Sequence, residues 1–117
     1  HEIAHWCIAG PARRKLVDYG YWYRPDGRSE AEQREFEQVE ARPQAVEWAL
    51  SLAAGFRFDV SVDNLSGAPV DRHAFRVRVY RELCRDAERG FPARARRLME
   101  RLEAFYGTRF RLPLDAN

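Results

Sequence analysis

The sequence predicts an α+β domain that is predominantly helical and carries one or two short strands. Three observations predict it. Long glycine-free segments, broken at Gly10-Pro11, Gly55 and Gly90, read as helices. Phe56, Phe58, Val60 and Val62 alternate with Arg57, Asp59 and Ser61, the period of two that marks a strand. Asp18-Tyr19-Gly20-Tyr21-Trp22-Tyr23 is too aromatic and too glycine-broken for a good helix, and reads as a short strand or ordered loop. A chain of 117 residues suits one domain with one core.

The elements follow in order. A first helix runs from the terminus to about Ala9 and ends at Gly10-Pro11. It has no residue before it to act as N-cap, and the chain does not open on Met. We therefore expect a fragment that lacks an N-terminal segment. A basic, turn-like stretch at Arg13-Arg14-Lys15 leads to the aromatic segment, and Pro25-Asp26-Gly27 is a turn. Ser29 caps a long helix, with Glu32 completing a capping box. That helix reaches Ala54, where Gly55 ends it. Pro43 lies inside it and should kink or restart it, because proline removes one helical hydrogen bond. The strand at 56–62 and a loop from Asn64 to Pro69 come next. Two further helices span roughly Asp71 to Arg89 and Pro92 to Tyr106.

Composition narrows the function. Hydrophobic residues make up 45% and charged residues 32%, as in an ordinary soluble protein. A net charge of +2 argues against a polyelectrolyte partner, so direct nucleic-acid binding is not expected. The arginines from Arg72 through Arg111 read as solvated helical faces. Cys7 and Cys84 form no disulfide framework, which suits reduced thiols in a cytoplasmic protein. No apolar run is long enough to span a bilayer, and no secretory signal is visible.

The most specific chemistry is His1-Glu2-Ile3-Ala4-His5, an H-E-x-x-H spacing. Residues four apart on a helix stack on one face, so both imidazoles can bind one metal ion beside a carboxylate. The apolar neighbours Ile3, Ala4, Trp6, Cys7, Ile8 and Ala9 make this a mostly buried helix. Buried histidines need hydrogen-bond partners or a metal. Catalytic sites usually add a third protein ligand. His73 sits on a polar helix start and Cys7 on a different face from His1 and His5, which leaves the acids of the long helix. With ~100° per residue, Phe36, Val39, Val46, Leu50 and Ala53 define an apolar face. Glu40 lies at its edge and Glu37 points away. Glu40 is the candidate third ligand and Glu37 the reserve. Such a set admits two chemistries. With Zn(II) it activates water for hydrolysis, with Glu2 as general base. With Fe(II) it is the facial triad of oxygenases.

The surrounding blocks resemble the bacterial elongation factor P hydroxylases. The likeness runs through His1-Glu2-Ile3-Ala4-His5-Trp6-Cys7-Ile8-Ala9-Gly10, Arg13-Arg14, Asp18 to Tyr23 and Pro25-Asp26-Gly27-Arg28. It continues in Phe36-Glu37, Val39-Glu40, Pro43-Gln44-Ala45, Glu47-Trp48, Ala53-Ala54-Gly55, Ser61, Asp63-Asn64-Leu65 and Gly67. The resemblance implies a metal-dependent hydroxylase, with Fe(II) as the expected metal. Its partner would be elongation factor P carrying a β-lysylated lysine. It implies ligands His1, His5 and a downstream Glu, placed at Glu40, and an α+β fold similar at its metal site to a metal-dependent ribonuclease. It also implies an N-terminal segment that this chain lacks. A β-lysylated lysine is long and cationic, so carboxylates and aromatic faces should receive it. Asp18, Tyr21, Asp26, Asp63 and Asn64 are the candidate substrate residues. The alternatives are a zinc peptidase or ribonuclease, and a binding module with a structural metal. A structural zinc would close all four positions, commonly with cysteines.

Overall fold

The computed structural model describes residues 1–9, 30–62 and 71–116. Among the described residues, four helices make up the regular structure: α1 (Glu2–Ile8), α2 (Glu30–Ala54), α3 (Arg72–Arg89) and α4 (Ala93–Tyr106). The described residues contain no strand, so the expected α+β class is corrected to an all-helical one. The Asp18–Tyr23 segment, the turn at 25–27, the Ser29 cap and the loop at 64–69 lie outside the described residues.

The segment at 56–62 shows why the strand expectation fails. Val60 and Val62 are buried while Asp59 and Ser61 are exposed, so the period-two burial is real. The described residues supply no partner strand. The Gln44 side chain on α2 takes its place: its amide donates to Ser61 O at 2.8 Å and its oxygen accepts from Ser61 N at 3.0 Å. Asp59 Oδ1 accepts from Val60 N at 2.9 Å. Backbone groups satisfied by side chains need no sheet.

Helix α2 is the axle of the molecule, packing against α3, α4 and α1. It runs unbroken through Pro43, so the expected restart does not occur. Ala41, Pro43, Gln44, Ala45 and Val46 are all buried around the proline. That packing offsets the roughly 3 kcal/mol or more that an interior proline costs.

Helix α3 begins at Asp71, whose carboxylate accepts from Ala74 N at 2.9 Å, and ends at Gly90 with φ +102°. Phe75, Val79 and Leu83, four apart, form its fully buried stripe against α2. Burial of each such side chain stabilises the fold by about 1.5–3 kcal/mol. Helix α4 contributes Ala95 and Met99 and closes on the left-handed Gly107.

Helix α1 docks where α2 meets α4. Ala4 and Cys7 pack with Val46 and Ala95, and this cluster joins the main core through Leu50 and Phe91. Arg94 on α4 fixes the end of α1: it donates to Trp6 O at 3.2 Å and its guanidinium lies 4.5 Å from the centre of the Trp6 ring. Among the described residues no helix is long and apolar enough to cross a membrane.

Candidate metal centre

Ala4 and Cys7 pack onto Val46 and Ala95, and the neighbouring face of α1, about 100° round the helix, also meets α2. That face carries His1 and His5, one helical turn apart, with their rings edge to face at 4.7 Å. His5 is buried, and His1 keeps about a third of its side chain exposed. From α2, Glu40 rises between them, with its side chain only 1% exposed. One oxygen of Glu40 lies 3.2 Å from His1 Nε2, and the other lies 3.4 Å from His5 Nε2. The two Nε2 atoms are 3.1 Å apart.

A second α2 carboxylate completes the cluster. Glu47 Oε1 lies 2.7 Å from His1 Nδ1. Seven residues are nearly two turns, so Glu40 and Glu47 share one face of α2 and flank His1 from either side. Glu47 was missed as a site residue. Its signal was available in the seven-residue spacing from Glu40.

The charges are matched to this crowding. Hydrogen bonds to Glu40 and then Glu47 raise the His1 pKa from 6.5 to about 10, against the opposing effect of burial. Burial alone would raise the Glu40 pKa, but the bonds from His1 and His5 outweigh it and lower the value to about 2. Held as imidazolium, His1 donates from Nδ1 to Glu47 and from Nε2 to Glu40. The pocket between Glu40 and the two rings thus stabilises one positive charge.

His1, His5 and Glu40 each offer a ligand atom, all within 4.8 Å of one another. Bonds of about 2.1 Å to one ion set adjacent donors about 3.0 Å apart in an octahedron and about 3.4 Å apart in a tetrahedron. The two Nε2 atoms, 3.1 Å apart, fall in that interval, and each lies within 3.4 Å of one or the other Glu40 oxygen, so two imidazoles and a carboxylate suited to a divalent metal meet at one place.

Other residues singled out from the sequence lie elsewhere. Glu2 is exposed on α1, outside the donor set. Glu37 is half-buried on α2, also outside it. His73 is exposed at the start of α3. Cys7 faces the apolar cluster, where burial pushes its thiol pKa up against the pull of Arg94. Asp18, Tyr21, Asp26, Asp63 and Asn64 lie outside the described residues.

A helical scaffold that converges two imidazoles and a carboxylate on one point defines a candidate metalloprotein. Comparison with known proteins sharpens the class. The family model for elongation factor P hydroxylase, EpmC, matches residues 1–116. The elongation factor P lysine hydroxylase of Haemophilus influenzae is 57% identical over 108 residues, 92% of this chain and 61% of that protein. The chain belongs to the elongation factor P hydroxylase family. It spans about three-fifths of the length of that curated relative. No solved structure matches it.

Proposed function

We propose that this chain carries the metal centre of a hydroxylase acting on a lysine of elongation factor P, in its β-lysylated form. The observation that supports this most is the convergence of His1, His5 and Glu40 in a member of a hydroxylase family. Two imidazole nitrogens and one carboxylate from these residues would hold Fe(II). When bound, Fe(II) in such a set supplies activation of O2. Hydroxylation inserts one oxygen atom of O2 into a C–H bond. The other oxygen atom leaves as water, with two electrons and two protons from a reductant.

The protein's part is to bind and to move protons. Glu40 stays ionised under ordinary conditions and brings the negative charge. His1 gives up the Nε2 proton as it becomes a ligand, so metal competes with that proton. Ala4, Cys7 and Val46 wall the apolar side of α1 and hold the His1–His5 face in register with α2. Asp18, Tyr21, Asp26, Asp63 and Asn64 receive the cationic lysyl chain. The reaction is placed in the cytoplasm, where the substrate serves translation. The zinc-hydrolase alternative needs Glu2 beside the donors as general base, and Glu2 stands exposed outside them.

The test uses full-length protein purified anaerobically, together with its His5→Ala variant. Wild type should hold one iron and add one oxygen atom to β-lysylated elongation factor P, read by mass spectrometry. His5→Ala should lose both. Stoichiometric iron and full hydroxylation in His5→Ala would sink the proposal.

A further inference from the structure

We infer that Glu47 is the positioning residue of this centre: it holds the His1 ring with its proton on Nδ1, so that Nε2 is the atom presented to a metal. The inference rests on the proposed metal-binding role of His1, His5 and Glu40. It adds a fourth side chain with a different task.

Geometry separates the two tasks. Glu47 Oε1 lies 2.7 Å from Nδ1, the shortest contact in the cluster. Nε2 is the ring atom that faces His5 and Glu40, at 3.1 and 3.2 Å. Glu47 therefore grips the ring from the side away from the donors, and the grouped donor atoms do not include it. The other contacts of this ring, to Glu40 and His5, are made through Nε2, and Glu47 is the partner given for Nδ1. His1 stands at the N-cap of α1 and makes no side-chain capping bond there. About a third of it is exposed, so packing does not lock its rotation. His5 differs, being buried on the same helix. A neutral imidazole has one N–H, and whichever nitrogen carries it cannot bind metal. A carboxylate at Nδ1 assigns that proton and makes Nε2 the better donor.

The role is specific to Glu47. Glu40 sits one face-repeat earlier on α2, is buried, and meets both rings through their Nε2 atoms. Glu47 keeps about a third of its side chain exposed and meets one ring only. A residue so placed tunes affinity and leaves the coordination number alone.

The experiment compares full-length wild type with Glu47→Ala, Glu47→Gln and, as the ligand control, Glu40→Ala. Zn(II) and Co(II) affinities are read by chelator competition, Co(II) coordination by visible absorption, and the His1 tautomer by ring-nitrogen NMR of the metal-free form at a pH where the ring is neutral. Apo melting temperatures report folding. Glu47→Ala should weaken both metals by about 10–100-fold with the Co(II) band shape of wild type. Its His1 ring should populate both tautomers. Glu47→Gln should recover part of the loss, because its amide oxygen still accepts from Nδ1. Wild-type affinity and a single tautomer in Glu47→Ala would overturn the inference and leave the metal reading intact. A changed Co(II) spectrum matching Glu40→Ala would also overturn it, by making Glu47 a ligand. A wild type that binds neither metal would remove both the reading and the inference.

Discussion

Two ionic clusters among the described residues lie beside α2, and the difference that matters most between them is exposure. His1, His5, Glu40 and Glu47 meet at 2.7 to 3.4 Å. Asp59, Arg72 and Arg76 meet at 2.6 and 3.1 Å beyond the C-terminal end of the helix. The contacts are equally close, but the carboxylate at the centre of one is 1% exposed and that of the other 63%. Arg72, and then Arg76, lower the Asp59 pKa in an environment that water already serves. Arg76 also lies over the Trp48 ring at 4.5 Å, so part of its work is packing. At Glu40 the protein removes water and must supply the stabilising charge itself. Burial, more than distance, turns a set of contacts into a site that demands a cation.

Removing the central carboxylate from each cluster tests this most severely. Glu40→Ala should lower metal affinity by at least about 100-fold, more than the loss of an outer partner such as Glu47 costs. Two imidazoles then remain as ligands. Asp59→Ala and Glu37→Ala should keep full metal content. Metal analysis after anaerobic purification decides it. Retained iron in Glu40→Ala with loss in Glu37→Ala would reassign the third ligand.

The apo protein should show the same contrast in its response to pH. The folded-state pKa of His1 is raised, so its contribution is complete below 6.5 and fades as pH climbs toward 10. That of Glu40 is lowered, so its contribution is complete above 4.5 and fades as pH falls toward 2. Both are whole only between about 4.5 and 6.5. Thermal melts of metal-free protein should therefore decline from pH 6.5 to 9, and His1→Asn should flatten that decline. A wild-type melting temperature level across this range would break the claim that the buried cluster holds a charge. Asp59→Asn should leave the decline unchanged.

Gln44 is a polar case between these extremes. It is 2% exposed and gives both ends of its amide to Ser61. Gln44→Ala should destabilise by about 1–3 kcal/mol, since it leaves partly buried backbone groups without partners. Denaturant unfolding measures it. Gln44→Glu replaces the donor with a second oxygen that faces Ser61 O and buries a carboxylate without a cation, so it should cost more than Gln44→Ala at neutral pH.

The helices were legible because their limits are local. Asp71, Gly90 and Gly107 mark ends through chemistry confined to a few residues. Helical phase put Glu40 at the edge of the apolar face that carries Phe36 and Val46, and all three are buried. The failures all need a neighbour. Alternation at 56–62 matched the burial of Val60 and Val62 but not of Phe56, which is exposed, and among the described residues Gln44, not a second strand, bonds the Ser61 backbone. Of the kink or restart expected at Pro43, the restart does not occur: its local cost was visible in the sequence, and the packing around it was not. Glu47 is the same lesson in the site. Its spacing from Glu40 could be counted, but its task depends on α1 lying across α2 with His1 between them.

The smallest effect belongs to the exposed cluster. Asp59 accepts from Arg72 and Arg76 and from Val60 N, so three bonds end on one side chain. Counting bonds alone would make it a keystone. Its exposure argues otherwise, because water replaces what a substitution removes and each arginine regains hydration. Asp59→Ala should cost roughly 0.2–1 kcal/mol, and raising salt from 0.05 to about 0.5 M should shrink even that. Arg76→Ala should cost more than Arg72→Ala, since Arg76 is the less exposed partner and covers Trp48. Urea unfolding of the three variants at both salt concentrations is the measurement. A salt-independent loss well above 1 kcal/mol in Asp59→Ala would show that exposure does not separate the two clusters.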